Sequence, residues 1–258
     1  MTYKVCITGA SSGIGEALAY YYAQKSADLT LIARNTERLN QVKSHCEKLG
    51  ATVTTALIDI RDHQQLNDFL VHNDQQKPID LIIANAGPSL KQLSNETADY
   101  YSAQRAMVDI HINGTFNSIY PLIQRMQQRQ SGQIAIMSSM NAKIFLPGRS
   151  IYGAVKAALL HFSLALRQQL RNDHIKVNVI CPGWVKTPRT DLNQFSMPFK
   201  VTAVTAAKTI GKGLNKNKAV IQFPWQLTTV IRLYNILPLT IQEWVSHTLY
   251  FAKSKDND

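Results

Sequence analysis

Residues 3–26 read YKVCITGASSGIGEALAYYYAQKS, and three kinds of local structure follow one another within them. Residues 3–8 are a short β-branched, apolar run of strand length. Residues 9–15 hold three glycines, Gly9, Gly13 and Gly15, with Ser11, Ser12 and Ile14 between them. Beyond them, Ile14, Leu18, Tyr21 and Tyr22 recur at helical spacing over residues 13–26. A strand that turns through glycines directly into a helix presents free N–H groups and the positive end of the helix dipole to whatever lies in front of the turn. Gly9 permits the sharp exit from the strand, Gly13 allows a close backbone approach to a diphosphate, and Gly15 lets the helix pack tightly on the sheet. The spacing is GxxxGxG rather than GxGxxG. A glycine turn that merely packs is the competing reading.

Working outward, the same rhythm repeats. Apolar runs at residues 28–33, 52–58, 79–84, 133–138, 175–181 and 218–223 read as strands. Helical stretches cover residues 36–49, 62–74, 98–129 and 150–171. The strand runs are continuous in Val, Ile and Leu rather than alternating, the pattern of strands covered on both faces. Strand–helix alternation throughout implies a doubly wound parallel sheet of about seven strands, a three-layer α/β/α unit joined by right-handed crossovers. No linker-like segment interrupts it, so residues 1–258 read as a single domain.

The chain has 258 residues, 28 Lys or Arg against 17 Asp or Glu, and a formal net charge of +11. The positives are scattered, so nucleic-acid binding is not expected; an anionic cofactor or membrane surface is compatible with the balance. Cys6, Cys46 and Cys181 are far apart, with no metal-ligand or disulfide spacing. No signal peptide opens the chain and no apolar run is long enough to span a bilayer; a cytoplasmic location is expected.

The second strand ends at Ala33-Arg34-Asn35, with no acid over residues 31–36. An acid there would accept ribose hydroxyls, whereas an Arg suits a 2′-phosphate. Arg34, with Ser12 and Arg38, therefore favours NADP over NAD, against the plainer reading of Arg34 as a solvated charge at a helix entry. Asp59 and Ile60, after the third strand, and Asn85-Ala86-Gly87, after the fourth, are placed to line the same cofactor. Tyr152 and Lys156 lie four apart near a helix start and so share a face. Tyrosine ordinarily titrates near ~10, and a neighbouring ammonium favours its phenolate, making it a usable acid and base. Ser139, just past a strand, can hold a carbonyl oxygen; Ser138 competes for the role. Asn113 and Gly114 are poor helix formers inside the long helical stretch and imply a local irregularity there, compatible with a relay water. His111 lies two residues off the helical face of Asn113 and reads as structural. Met140 is a candidate substrate contact.

TGASSGIG at residues 8–15, NAG at 85–87, Asn113, Ser139, YGAVK at 152–156 and PGWVKT at 182–187 together resemble the short-chain dehydrogenase/reductase family over residues 3–223. The resemblance implies a Rossmann-type sheet of seven strands and a catalytic set of Asn113, Ser139, Tyr152 and Lys156. In that set Asn113 helps hold a relay water, Ser139 orients the substrate, Tyr152 is the acid/base, and Lys156 binds the nicotinamide ribose. It further implies that Pro182, Gly183, Val185 and Thr187 cradle the nicotinamide end, and that the chain forms homodimers or homotetramers through its two long helices. Val155 stands where Ser is usual before the lysine, which leaves Tyr152 and Lys156 intact. The implied activity is hydride transfer between NADP(H) and a carbonyl or alcohol substrate. A cofactor-sensing or scaffold protein on the same fold is the alternative, and a nucleotide-sugar epimerase has too little chain after the last strand.

Two segments break the rhythm. Residues 184–200 hold Pro188 and Pro198 and read as a substrate lid, with Arg189, Phe195, Met197 and Phe199 on it. Residues 225–251 read as two amphipathic helices broken at Pro238. Leu227, Val230, Ile231 and Tyr234 make one apolar stripe, and Ile241, Trp244, Val245, Thr248 and Leu249 another. Those stripes can pack on their own domain, on a second subunit or on a membrane surface.

Overall fold

A computed structural model of the chain describes residues 2–187 and 199–252. Seven parallel strands form one sheet: β1 (Lys4–Thr8), β2 (Asp28–Ala33), β3 (Thr52–Leu57), β4 (Leu81–Ala84), β5 (Gly132–Met137), β6 (Ile175–Pro182) and β7 (Val220–Phe223). Their order is β3-β2-β1-β4-β5-β6-β7, so the chain winds outward from β1 in one direction and, after crossing over, in the other. This is the Rossmann-type architecture expected. The register sets Val5 between Leu29 of β2 and Leu81 of β4.

Side chains alternate across the sheet, and both faces of its inner strands are apolar because both are covered, whereas the edge strand β3 exposes Thr52, Thr54 and Leu57. Val5, Ile7, Leu29, Leu31, Leu81 and Ile83 point to one core, under helices α1 (Gly13–Ala23) and α2 (Thr36–Lys48). Cys6, Ile32, Ile82, Ile134 and Ile136 point to the other, under α3 (His63–Gln76) and the helices that follow β4. All three cysteines are buried, and burial pushes the Cys6 and Cys46 thiols up to about 12.

Between β4 and β5 the chain forms α4 (Leu90–Glu96), α5 (Tyr100–Val108), a π-helical turn over Asp109–Asn113, and α6 (Gly114–Gln128). The long helical stretch expected over residues 98–129 is therefore interrupted, and the irregularity expected at Asn113 and Gly114 is this π-helical turn. Helix α7 (Ser150–Gln169) follows β5. Helix α8 (Ala203–Asn215), started by Thr202 accepting from the Thr205 N–H at 3.1 Å, packs on α1. Helices α4 and α8 are not among the helices expected: α4 is a short polar segment, whereas α8 carries a regular apolar face, with Ala206, Ala207, Ile210 and Leu214 buried.

Of the expected lid, residues 188–198, with Arg189, Phe195 and Met197, lie outside the described residues. Its two ends are tied together, because the two-residue strands Val185–Lys186 and Val201–Thr202 pair in parallel. After β7 come α9 (Trp225–Tyr234) and α10 (Leu239–Ala252), with the break at Pro238 as expected. Among the described residues no helix is long and apolar enough to cross a membrane.

Candidate active site

The carboxyl ends of the strands open into a cleft of about 1570 Å³, at the point where the strand order reverses. In open parallel sheets ligands bind at such a point, because loops diverging to opposite faces leave a crevice. Gly9, Ser11, Ser12, Gly13 and Ile14 form one wall. Gly9 adopts φ +67°, and a Cβ on it would lie 2.7 Å from the Ala86 Cα. Gly15 lies beneath the turn, where a Cβ would collide with the Gly9 carbonyl oxygen. The turn is stapled to β4: the Asn85 side-chain amide donates to the Thr8 and Gly9 carbonyls at 3.0 and 3.2 Å, and the Thr8 hydroxyl accepts from the Asn85 and Ala86 N–H groups. Asn85 thus holds the cradle in shape as well as lining it.

The first turn of α1 lacks a side-chain cap, as do the starts of α7 and α9. Helices α2, α3 and α5 are capped by Asn35, Asp62 and Asp99 side chains, whereas Ser12 makes no such bond at the start of α1. Its leading N–H groups face the cleft side of the glycine turn, the arrangement that takes a phosphate. The cradle therefore fits a dinucleotide diphosphate.

Arg34, Asn35 and Arg38 close the cleft beyond the end of β2. Arg34 is half-exposed, with Asp59 at 3.5 Å and Glu96 at 3.9 Å. Asp59 itself is bound by Arg61 at 2.7 Å. Burial works against its charge, but hydrogen bonds from Arg61 and the positive field of Arg61 and Arg34 hold its carboxyl below the usual range. Ile60, Ala86 and Gly87 line the cleft from the next two strand ends, and Pro182, Gly183, Val185 and Thr187 from the end of β6 onward.

Ser139, Tyr152 and Lys156 all reach this cleft. The two serines separate in role. The Ser138 hydroxyl donates to the Lys156 carbonyl at 2.7 Å, tying β5 to α7. The Ser139 hydroxyl accepts from the Asn141 N–H at 3.2 Å, which leaves its own proton to donate. Lys156 is buried; its ammonium donates to the Met137 carbonyl at 2.8 Å and lies 5.9 Å from the Tyr152 ring centre. Met140 is buried in the cleft lining.

Asn113 corrects the sequence expectation. Its side chain is exposed, donates to the Asp109 carboxylate at 2.9 Å, and is absent from the cleft lining. His111 is the residue turned inward. It is fully buried, its Nε2 lies 3.0 Å from the Pro88 carbonyl, and its ring meets Tyr152 edge-on at 6.0 Å. A Cβ on Gly87 would collide with that ring, so histidine and glycine are fitted to each other. The physical reason lies in the π-helical turn. It puts one more residue into a turn than an α-helix holds, so a helical wheel drawn through residues 109–113 loses its phase there.

The short chain dehydrogenase family model matches residues 3–195. An uncharacterized oxidoreductase of Myxococcus xanthus is 30% identical over 240 residues, covering 92% of this chain and 94% of its own. The 11-beta-hydroxysteroid dehydrogenase-like 3 protein of Arabidopsis thaliana is 32% identical over 243 residues, 91% of this chain and 77% of its own. Among solved structures, a short-chain dehydrogenase from Sphingobium yanoikuyae in complex with NADPH superposes with a TM-score of 0.73 at 23% identity, covering 90% of this chain and 94% of that one. At that identity the structural likeness is one of fold.

Proposed function

The chain belongs to the short-chain dehydrogenase/reductase family, and from that premise we propose that it is an NADP-dependent oxidoreductase interconverting an apolar carbonyl compound and its alcohol, with Tyr152 as acid and base. One observation carries this reading: the Ser139 hydroxyl, the Tyr152 phenol and the Lys156 ammonium line the same cleft as an uncapped, glycine-turned helix start.

The glycine turn and the α1 N-terminus would hold the diphosphate, and Arg34, Arg38 and Ser12 the 2′-phosphate. Asp59, Ile60 and Asn85–Gly87 would lie along the cofactor, with Lys156 on the ribose and Pro182, Gly183, Val185 and Thr187 about the nicotinamide. Bound there, the nicotinamide supplies or accepts a hydride. The chain's own groups handle the proton and the oxygen. Ser139 donates a hydrogen bond to the substrate oxygen. Tyr152 gives that oxygen a proton in reduction and removes one in oxidation. The Lys156 ammonium stabilises negative charge on the phenol oxygen. His111 is a positioning residue: it supports the Tyr152 ring and holds the segment after β4 through the Pro88 carbonyl.

The far end of the cleft supports the apolar substrate. It is lined by Met140, Ile144, Leu146, Leu227, Ile231 and Leu237, in keeping with the name of the Arabidopsis relative. A homo-oligomer through the α6–α7 face accords with the part-exposed ring cluster of Phe116, Tyr120 and Phe162 there. The test is NADPH consumption with a panel of ketones and aldehydes from small and polar to large and apolar. The expected result is turnover that rises with apolar size. NADPH binding without turnover of any member would instead favour a cofactor sensor.

A further inference from the structure

We propose that the α9–α10 pair is a membrane-docking surface for anionic bilayers, and that the cleft exchanges its apolar substrate with that bilayer. The proposal rests on the cleft reading above and concerns how the substrate reaches it.

The first observation is the turn between the helices. Residues 235–239 read Asn-Ile-Leu-Pro-Leu, although exposed turns are normally built from Gly, Asn, Asp and Ser. Ile236 is 78% exposed and Leu239 62%. Trp225 and Trp244, on the two helices, are 73% and 68% exposed. Residues 225–252 carry only two formal charges, Arg232 and Glu243. An exposed apolar surface of this kind on a chain of otherwise ordinary polarity marks an interaction site.

The second observation identifies the occupant. Val230, Leu233 and Leu237 are exposed and also line the cleft, so the apolar surface runs without a break into the substrate end of the site. A second protein seated there would cap the route. A fluid acyl layer would cover the same side chains and still pass an apolar molecule. Tryptophans at the edge of an apolar face suit the headgroup boundary. The net charge of +11 draws the whole molecule toward anionic lipid. Lys143 and Arg149, together with Glu243, line a cavity of about 630 Å³ beside α10, which leaves net positive charge next to the docking face.

Flotation of the full chain with vesicles tests this. The chain should rise with vesicles of phosphatidylcholine plus phosphatidylglycerol, and less with phosphatidylcholine alone. Ile236→Glu/Leu239→Glu should lower the bound fraction at least ~10-fold, with NADPH binding and elution volume on sizing unchanged. A chain that stays at the bottom with both vesicles overturns the proposal. So does a double variant that floats like the parent, or one that instead breaks an oligomer, which would make the patch a contact between copies. Fluorescence supplies a second measurement. Vesicles with brominated acyl chains should quench the parent but not Trp225→Phe/Trp244→Phe, which retains Trp184; quenching that persists in the variant also overturns it. Neither assay requires turnover, so their failure is distinct from failure of the oxidoreductase reading.

Discussion

The two ends of the parallel sheet are both rich in polar side chains, and they use them in opposite ways. At the amino ends the groups satisfy one another. The Lys4 ammonium donates to the Asn73 and Lys77 carbonyls, Lys77 binds Asp28 at 2.7 Å, and Asp74, almost fully buried, takes Arg125, Arg129 and the Ile79 N–H. Gln133, Asn178, Arg167 and Asn217 form a second closed network at the start of β5, β6 and β7. At the carboxyl ends the strands stop in Gly9, Arg34, Asp59, Asn85, Ser139 and Gly183, and these border an open cleft. One rim holds the sheet together; the other borders a cleft. Polarity alone does not mark a functional site. Polar groups that converge on open space do.

Substitutions can break this contrast from either side. The largest effect is expected at the open rim: Tyr152→Phe should lower turnover at least ~100-fold, the usual size of a general-acid contribution, while NADPH titration still gives the parent Kd. Near-parental turnover would remove Tyr152 from its role. At the closed rim, Asp74→Ala should cost about 2 kcal/mol of stability by stranding two guanidinium groups and a buried N–H. Urea unfolding should show that loss with the NADPH Kd unchanged; a changed Kd with unchanged stability would erase the distinction between the rims. Arg34→Asp should move the ratio of NADP to NAD affinity by about 10-fold toward NAD, the value of one charge-assisted hydrogen bond. An unchanged ratio would assign Arg34 to its ion pairs with Asp59 and Glu96 alone. The smallest effect belongs to His111. His111→Leu should reduce kcat a few-fold, roughly 5-fold, and shift the pH profile that Tyr152 sets, with KM for NADPH held and His111→Asn partly restoring kcat. Equal damage in both variants, with no movement of the profile, would make the histidine purely a packing residue.

Much of this was legible without coordinates. The strands announce themselves because a sheet covered on both faces demands unbroken apolar runs, and the helices over residues 36–49, 62–74 and 150–171 keep a regular period. Ser139, Tyr152, Lys156 and the glycine turn are legible because each sits at a junction between elements, where position along the chain determines position in the fold. Helix α8 was missed although its buried face keeps helical spacing, because that face is made mostly of Ala and Gly and packs on α1 at close range, with Gly211 against Tyr21. The inward placement of His111 beside Tyr152 was not legible, because its neighbourhood departs from the helical period that the reading assumed.

From the sequence alone came the α/β order, the phosphate-ready turn, the Tyr152–Lys156 pair on one helical face and the basic residue at the end of β2. These are local properties, set by backbone sterics, spacing and charge within a few residues. Tertiary structure alone decided which of two adjacent serines spends its hydroxyl on the Lys156 carbonyl, that His111 rather than Asn113 stands beside Tyr152, and that the C-terminal helices border the cleft. Each of those depends on the phase of a helix or on contacts between residues distant in the chain, and no window of sequence contains them.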